Sequence, residues 1–84
     1  MAYKYSIEWK EVAIRELRKL QQSIASRIVK AVDSLKEDPF SKDFKKLRGS
    51  PDFRLRVGDF RVIIAVEQKT LIILKIAKRG SVYK

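Results

Sequence analysis

Three arginines between residues 53 and 64 are the side chains of this sequence best suited to chemistry. Gly58-Asp59 separates two segments in which apolar residues alternate, and this pattern predicts two strands joined by a two-residue turn. The turn length sets the register, which places Arg56 opposite Arg61. Because strand side chains alternate in direction, Arg54, Arg56 and Arg61 share one face of the hairpin.

This arrangement of arginines favours an anion site. Like charges directly opposite each other weaken strand pairing, and no acidic residue lies in the two strands to neutralise them. Arginine binds phosphate through planar, bidentate donors and keeps its charge at any working pH. The alternative interpretation is that the three arginines only solvate the outer face of a sheet. Lysine or residues of mixed sign would do that without the cross-strand repulsion.

An arginine face of this kind fits RNA cleavage without a metal ion. Attack of a 2′-hydroxyl on the neighbouring phosphate requires a proton acceptor, a proton donor for the leaving 5′-oxygen, and cations that stabilise the dianionic transition state. The strand arginines, with Arg79, meet the third requirement. Since the sequence has no histidine and no cysteine, the candidates for proton transfer near this face are Tyr83, Lys75 and Lys78.

Side chains outside the hairpin extend the possible site. Tyr83 follows Arg79 by four residues and can fold back over the site, where surrounding cations favour its phenolate. Alternatively, Tyr83 is a loose aromatic side chain near the C-terminus. Further cations are expected to contact phosphates independently of RNA sequence, or else to serve solubility. These cations are Lys42, Lys45, Lys46, Arg48, Lys75 and Lys78.

The composition narrows the class of protein. The 84 residues predict a single domain, 1–84, and 20 lysines and arginines against 10 acidic residues give a formal net charge of +10. That excess points to a nucleic-acid or other polyanionic partner. Without cysteine or histidine we expect no disulfide, no metal site and no cofactor. No apolar run approaches the length of a membrane span and no signal-peptide pattern begins the chain, which predicts a soluble cytoplasmic protein.

The first half of the chain reads as one strand and two helices. Alternation predicts a short strand over residues 3–8. Apolar residues then recur every three or four positions up to Leu35, as they do on one side of a helix. We predict two helices broken near Gln21, with Ser23 as N-cap of the second, over the alternative of one long helix. Asp38-Pro39 is expected to end the second helix.

The second half is predicted to supply the sheet. Residues 40–52 read as a basic connector, and a third strand, 71–77, follows the hairpin. A three-residue loop, 68–70, would pair Ile64 with Leu74 and Val62 with Ile76, so that residues 72, 74 and 76 face the core while Lys75 and Arg79 join the arginines; a two-residue loop would reverse these faces. The predicted fold is a two-layer α+β domain, β-α-α-β-β-β, with two N-terminal helices packed on one face of a small antiparallel sheet.

Over nearly its full length the sequence resembles the RelE/ParE toxin superfamily, and within it the RelE-type mRNA interferases. The resemblance is carried by the Leu17…Leu20 helix, the helix end Leu35…Asp38-Pro39, and three motifs. The motifs are Lys46-Leu47-Arg48-Gly49, the stretch Phe53-Arg54-Leu55-Arg56-Val57-Gly58-Asp59-Phe60-Arg61-Val62-Ile63, and the ending Lys78-Arg79-Gly80-Ser81-Val82-Tyr83. The second and third motifs together make the resemblance specific.

The resemblance implies the toxin of a type II toxin–antitoxin pair, which cuts mRNA in the ribosomal A site without a metal ion. By motif, the catalytic set would be Arg54, Arg56, Arg61, Arg79 and Tyr83. RelE members often carry lysines at the first two positions, and arginine there places more of the base role on Tyr83. The expected partners are the ribosome with its mRNA and a cognate antitoxin, whose acidic or amphipathic segment wraps an otherwise monomeric toxin.

Two alternatives from other functional classes remain open at the level of sequence. One is a ParE-like inhibitor that binds DNA gyrase and cleaves nothing. The other is a non-catalytic RNA-binding module. The complete set of cations with a tyrosine favours the nuclease over the gyrase inhibitor, because relatives of the second kind share the fold but lack the full set.

Overall fold

The chain folds into two helices and five strands within the part that the computed structural model describes, residues 5–38 and 43–78. The elements in chain order are β1 (Ser6–Trp9), α1 (Glu11–Arg18), α2 (Gln22–Ser34), β2 (Phe44–Lys46), β3 (Phe53–Val57), β4 (Phe60–Glu67) and β5 (Thr70–Lys78). The sheet order is β1-β5-β4-β3-β2. The predicted two-layer α+β architecture is therefore confirmed, with both helices on one face of the sheet.

The sheet differs from the prediction in two details. It is mixed, because β1 pairs in parallel with β5, whereas the other three pairings are antiparallel. It also contains an additional strand, β2, in the segment predicted as a connector, and Phe44 of this strand lies opposite Leu55. The ring of Phe44 is buried and stacks on Phe53 with 4.9 Å between centroids. A strand of three residues is too short to show alternation, so β2 is recognised only by its pairing with β3 and by the packing of Phe44.

The helices separate where predicted, but their ends differ. Gln21, not Ser23, is the N-cap of α2: its backbone is extended and its carbonyl accepts from the N–H groups of Ile24 and Ala25 at 3.0 and 2.9 Å. Helix α2 ends at Ser34 instead of running to Asp38. Beyond it the chain continues in tighter turns, in which the N–H of residue i+3 donates to the carbonyl of residue i, up to residue 37.

The β4–β5 connection is a two-residue turn, which corrects the predicted three-residue loop. Gln68 and Lys69 have φ of +47° and +66°, as the favoured hairpin turn requires, and Glu67 pairs with Thr70. Neither residue is a glycine or an asparagine, so no local signal marks the turn. The predicted pairing of Ile64 with Leu74 is consequently wrong, since Ile64 lies opposite Ile73.

The core lies between the helices and one face of the sheet. Fully buried aliphatic residues of α2 meet those of β3, β4 and β5, while Ala13 of α1 packs with them. On β5 the buried residues are Leu71, Ile73 and Ile76 rather than the predicted 72, 74 and 76. No charged or polar side chain of the described residues is buried. None of the described helices has the length and apolar character needed to cross a membrane.

The register of β5 generates a test by matched substitutions. Ile73→Ala should lower the free energy of unfolding by about 2–5 kcal/mol, because Ile73 is fully buried and its truncation leaves a cavity. Ile72→Ala removes the same atoms from a half-buried site on the other face and should cost clearly less. Urea denaturation of both variants measures the difference. A larger loss from Ile72→Ala would contradict the two-residue turn and restore the predicted loop.

A cationic face on the open side of the sheet

The face of the sheet that the helices leave open carries five of the eight predicted site residues that lie within the described part of the chain. Arg56 lies opposite Arg61, as the turn at Gly58-Asp59 predicts, and Arg54 lies opposite Ile63. On the far side of Arg54, β2 contributes Lys45. We call the five cations that alternation places on this side the cationic face; they are Lys45, Arg54, Arg56, Arg61 and Lys75.

An isoleucine forms the centre of the cationic face. Ile63 lies between Arg54 on β3 and Lys75 on β5, and only 5% of its surface is exposed, although it does not belong to the main hydrophobic cluster. Long cationic side chains can cover apolar surface with their methylene stems and keep their charged ends in water. The cationic face thus combines an apolar floor with a ring of charge, a surface suited to a ligand that has both a phosphate and a base.

A pocket of about 250 Å³ opens at the end of this face nearest β2, lined by Asp43, Lys45, Arg54 and Arg56. Because one water molecule occupies about 30 Å³ of liquid, the pocket has room for a phosphodiester group. Arg54 is half-buried, while Lys45 and Arg56 are exposed. Three cations around one pocket can donate several charge-assisted hydrogen bonds to a phosphate.

Asp43 is a pocket residue that the sequence reasoning missed as part of the site. Its carbonyl accepts a hydrogen bond from the N–H of Arg56 at 3.0 Å, which extends the ladder between β2 and β3 by one residue. Residues 43 and 45 alternate onto the same side as Arg54. Alternation would place this carboxylate beside the arginines only if the segment is a strand. A connector gives no reason to place it there.

The other predicted site residues fall into two groups. Lys46 and Lys78 are exposed and lie opposite Phe53 and Phe60, on the side of the sheet that faces the helices, and Arg48 is exposed in the turn after β2. The remaining predictions lie outside the described residues. They are Lys42, Arg79 and Tyr83. Within 5–38 and 43–78, no group of three or more acidic side chains is arranged to hold a metal ion.

The β3–β4 turn that sets this register depends on a glycine. Gly58 has φ of +59°, a conformation that L side chains rarely adopt. The guanidinium of Arg27, on α2, lies against it: a Cβ atom at position 58 would be 3.4 Å from Nη2. Helix α2 therefore contacts the tip of the hairpin, which ties the helical layer to the strands that carry Arg56 and Arg61.

An arrangement of two helices on one face of a mixed five-stranded sheet matches the fold of RelE toxins. Residues 7–83 match the family described as ParE toxin of type II toxin-antitoxin system, parDE. The chain belongs to this family, and the resemblance to the RelE/ParE superfamily is confirmed. No curated protein sequence shows a significant match to the chain.

Solved structures agree with this assignment. The chain is similar to a chain of the archaeal RelE–RelB complex from Pyrococcus horikoshii, with 28% identity, a TM-score of 0.82, and coverage of 95% of this chain and 100% of the other. For the RelBE2 toxin–antitoxin complex from Mycobacterium tuberculosis the identity is 27%, the TM-score 0.80, and the coverage 92% and 100%. The chromosomal ParDE system of Pseudomonas aeruginosa shares only the fold, at 16% identity, a TM-score of 0.75, and coverage of 92% and 98%.

The cross-strand arginine pair predicts how anions affect stability. Arg56→Gln should stabilise the protein in dilute chloride by about 0.2–1 kcal/mol, because it removes the repulsion with Arg61. Sulfate at the same ionic strength should then raise the melting temperature of the wild type more than that of Arg56→Gln, since part of the anion site is lost.

The control for this comparison is Arg18→Gln, which removes one exposed charge from α1. Sulfate also stabilises proteins by exclusion from their surface, and that general effect should be the same in all three proteins. Thermal unfolding followed by circular dichroism measures the shifts. Equal sulfate effects in the wild type and both variants would argue against an anion site on the cationic face.

Proposed function

We propose that this toxin is a metal-independent endoribonuclease that cleaves mRNA, with the ribosomal A site as the place of cleavage and the cytoplasm as the compartment. The observation that supports the proposal most directly is the cationic face, in which Arg54, Arg56 and Lys45 surround one pocket beside the apolar Ile63. A purely electrostatic contact with RNA would need only scattered charge. A pocket that concentrates several donors on one phosphate also suits a transition state in which that phosphate gains charge.

The proposed reaction moves two protons. The 2′-oxygen of the upstream nucleotide attacks phosphorus, the bond from phosphorus to the 5′-oxygen breaks, and the products carry a 2′,3′-cyclic phosphate and a 5′-hydroxyl. The carboxylate of Asp43, which lines the pocket, would accept the proton of the 2′-hydroxyl, and so take the base role that the family resemblance places on Tyr83. The phenol of Tyr83 would give a proton to the leaving 5′-oxygen. Arg54, Arg56, Arg61 and Arg79 would stabilise the dianionic phosphorane, because arginine stays charged throughout.

A cognate antitoxin is the second proposed partner. The similar structures from P. horikoshii and M. tuberculosis are toxin–antitoxin complexes, and the net charge of +10 favours an acidic partner. An acidic or amphipathic segment of the antitoxin would neutralise the cationic face and compete with RNA. In this proposal the toxin is a monomer when free and part of a heteromeric complex when inhibited.

Inhibition of DNA gyrase without cleavage is the alternative function. The observation that favours it is the family match, which is to toxins described as ParE. The pocket lined by Lys45, Arg54 and Arg56 argues against it, because inhibition of gyrase without cleavage does not require several cations around one pocket. A non-catalytic RNA-binding module is the third candidate, and it differs from the nuclease only in leaving RNA intact.

Incubation of the purified protein with mRNA in the presence of EDTA, with and without translating ribosomes, tests the proposal. We expect cuts that depend on the ribosome and leave a 2′,3′-cyclic phosphate, because the cationic face replaces the metal and the ribosome orients the mRNA. Arg61→Ala should lose both affinity and cleavage. Intact mRNA in every condition, from a folded protein that arrests growth and inhibits supercoiling by gyrase, would replace the nuclease with the alternative.

Substitutions of the two proton-transfer groups should both slow cleavage, but they should differ in their effect on RNA affinity. Asp43→Asn should slow single-turnover cleavage by about 10²–10⁴-fold, because the amide cannot accept the proton, while RNA binds more tightly to the more positive pocket. Tyr83→Phe should slow cleavage with affinity nearly unchanged. Rapid-quench kinetics and fluorescence anisotropy give the two quantities separately. An Asp43→Asn protein with wild-type cleavage would exclude Asp43 as the acceptor and reduce its role to balancing charge.

A further inference from the structure

A β-bulge in β5 decides which side of the sheet Lys75 occupies. From the turn outward, the pairs run in regular order from Glu67 with Thr70 to Ile64 with Ile73. The next residue of β4, Ile63, then lies opposite Lys75, so Leu74 is an extra residue without a partner of its own. In an unbroken ladder Leu74 would lie opposite Ile63 and Lys75 opposite Val62, which is fully buried. The bulge therefore moves Lys75 out of the core side and onto the cationic face.

Glu16 contacts the sheet directly beside this bulge. Its Oε1 atom accepts a hydrogen bond of 2.7 Å from the backbone N–H of Ile76, in a partly buried position. Strand β1 ends opposite Ile73, where the N–H of Lys10 still donates to the carbonyl of Ile73 at 2.9 Å. Within the described residues no strand continues along that edge of β5. A carboxylate from α1 thus takes the place that the next residue of a neighbouring strand would occupy.

We propose that Glu16 is a positioning residue of the cationic face, which fixes the bulge at Leu74 and so holds Lys75 among the arginines. The inference rests on the proposed function, because it treats the cationic face as the surface that binds RNA. Glu16 itself touches no substrate. It acts through the backbone of Ile76, and the side chain that benefits is Lys75, the residue before it.

Hydrophobic burial and the Glu16 hydrogen bond contribute differently to this arrangement. Burial of Ile76 beside Val62 favours a bulge somewhere in β5, because only then does the core side receive an aliphatic residue instead of Lys75. Burial of Ile73 and Ile76 confines the extra residue to Leu74 or Lys75. The bond to Ile76 adds a polar anchor directly after this pair, because it is formed only when this N–H points towards α1. Loss of the bond should loosen β5 at the bulge, so that Lys75 adopts several positions instead of one.

The inference and simple electrostatics predict opposite signs for the same substitution. Removal of any carboxylate makes the protein more positive, and a polyanion should then bind more tightly. If Glu16 positions Lys75, its truncation should instead weaken RNA binding despite the gain in charge. Glu16→Gln separates the two effects, since it makes the same change in charge but keeps an oxygen that accepts the hydrogen bond.

The test compares Glu16→Ala, Glu16→Gln and Glu8→Ala with the wild type. Glu8 is a matched control, an exposed acid on β1 whose carboxylate lies 3.3 Å from the ammonium of Lys10. The probe is a fluorescein-labelled single-stranded RNA with 2′-O-methyl groups, which cannot be cleaved by 2′-hydroxyl attack. In fluorescence anisotropy, Glu16→Ala should bind about tenfold more weakly, the scale of one charge-assisted hydrogen bond. Glu16→Gln and Glu8→Ala should bind as tightly as the wild type or more tightly.

Deletion of Leu74 supplies an internal rescue. Without the extra residue, the turn alone places Lys75 opposite Ile63 in a regular ladder, and no bulge remains for Glu16 to hold. Glu16→Ala should then have no effect on RNA binding in the deletion background. If Glu16→Ala alone does not fold, folding and binding by the double variant would support the inference. A Glu16→Ala protein that binds like Glu16→Gln, or an equal loss in the deletion background, would overturn it.

Amide exchange and NMR contacts distinguish this inference from the proposed function. In Glu16→Ala the N–H of Ile76 should lose its protection, and the cross-strand contact between Val62 and Ile76 should weaken, whether or not the protein binds RNA. If the wild type does not bind RNA but Glu16→Ala still loses these signals, the proposed function is wrong and the positioning role is supported. Unchanged protection of Ile76 in Glu16→Ala would end the positioning role irrespective of any activity.

Discussion

Arg56 and Arg61 lie directly opposite each other on neighbouring strands, and the rest of the fold has to hold this unfavourable pair in place. It does so from the other side of the same strands. Leu55 and Val62, one step further from the turn, are buried beneath the helices, so the hydrophobic effect supplies what the charges oppose. A chain of 84 residues has a modest core, and Leu55 and Val62 are the part of it that lies directly behind this pair.

Charge and stability are therefore linked in this protein. An anion that binds the cationic face removes repulsion and adds hydrogen bonds, and a ligand that binds only the folded state stabilises it in proportion to the logarithm of its concentration. RNA and an acidic antitoxin segment would both act in this way. The free toxin would then be the least stable form of the protein, and each partner that occupies the cationic face would also stabilise the fold.

Sequence patterns predicted the elements whose signals are local and missed those that depend on contacts across the sheet. The glycine of the β3–β4 turn made it possible to predict that Arg56 lies opposite Arg61, as it does. The β4–β5 turn has no such residue: Gln68 and Lys69 adopt left-handed conformations although neither is a glycine or an asparagine. The predicted pairing of Val62 with Ile76 is nevertheless present, because the bulge at Leu74 compensates for the shorter turn. No sequence pattern marks this bulge, which follows from burial of Ile73 and Ile76. Asp43 could not be assigned to the site from sequence, because β2 is too short to show alternation and is recognised only by its pairing with β3 and the packing of Phe44.

The position of β2 at the edge of the sheet has a consequence for solubility. An edge strand offers unpaired N–H and C=O groups to other chains, and short length and lysines are the usual protection against aggregation. Strand β2 has both, with three residues of which two are Lys45 and Lys46. Lys45 belongs to the cationic face as well. A substitution that removes the charge of Lys45 would therefore leave this edge less protected, so such variants should be examined for aggregation as well as for activity.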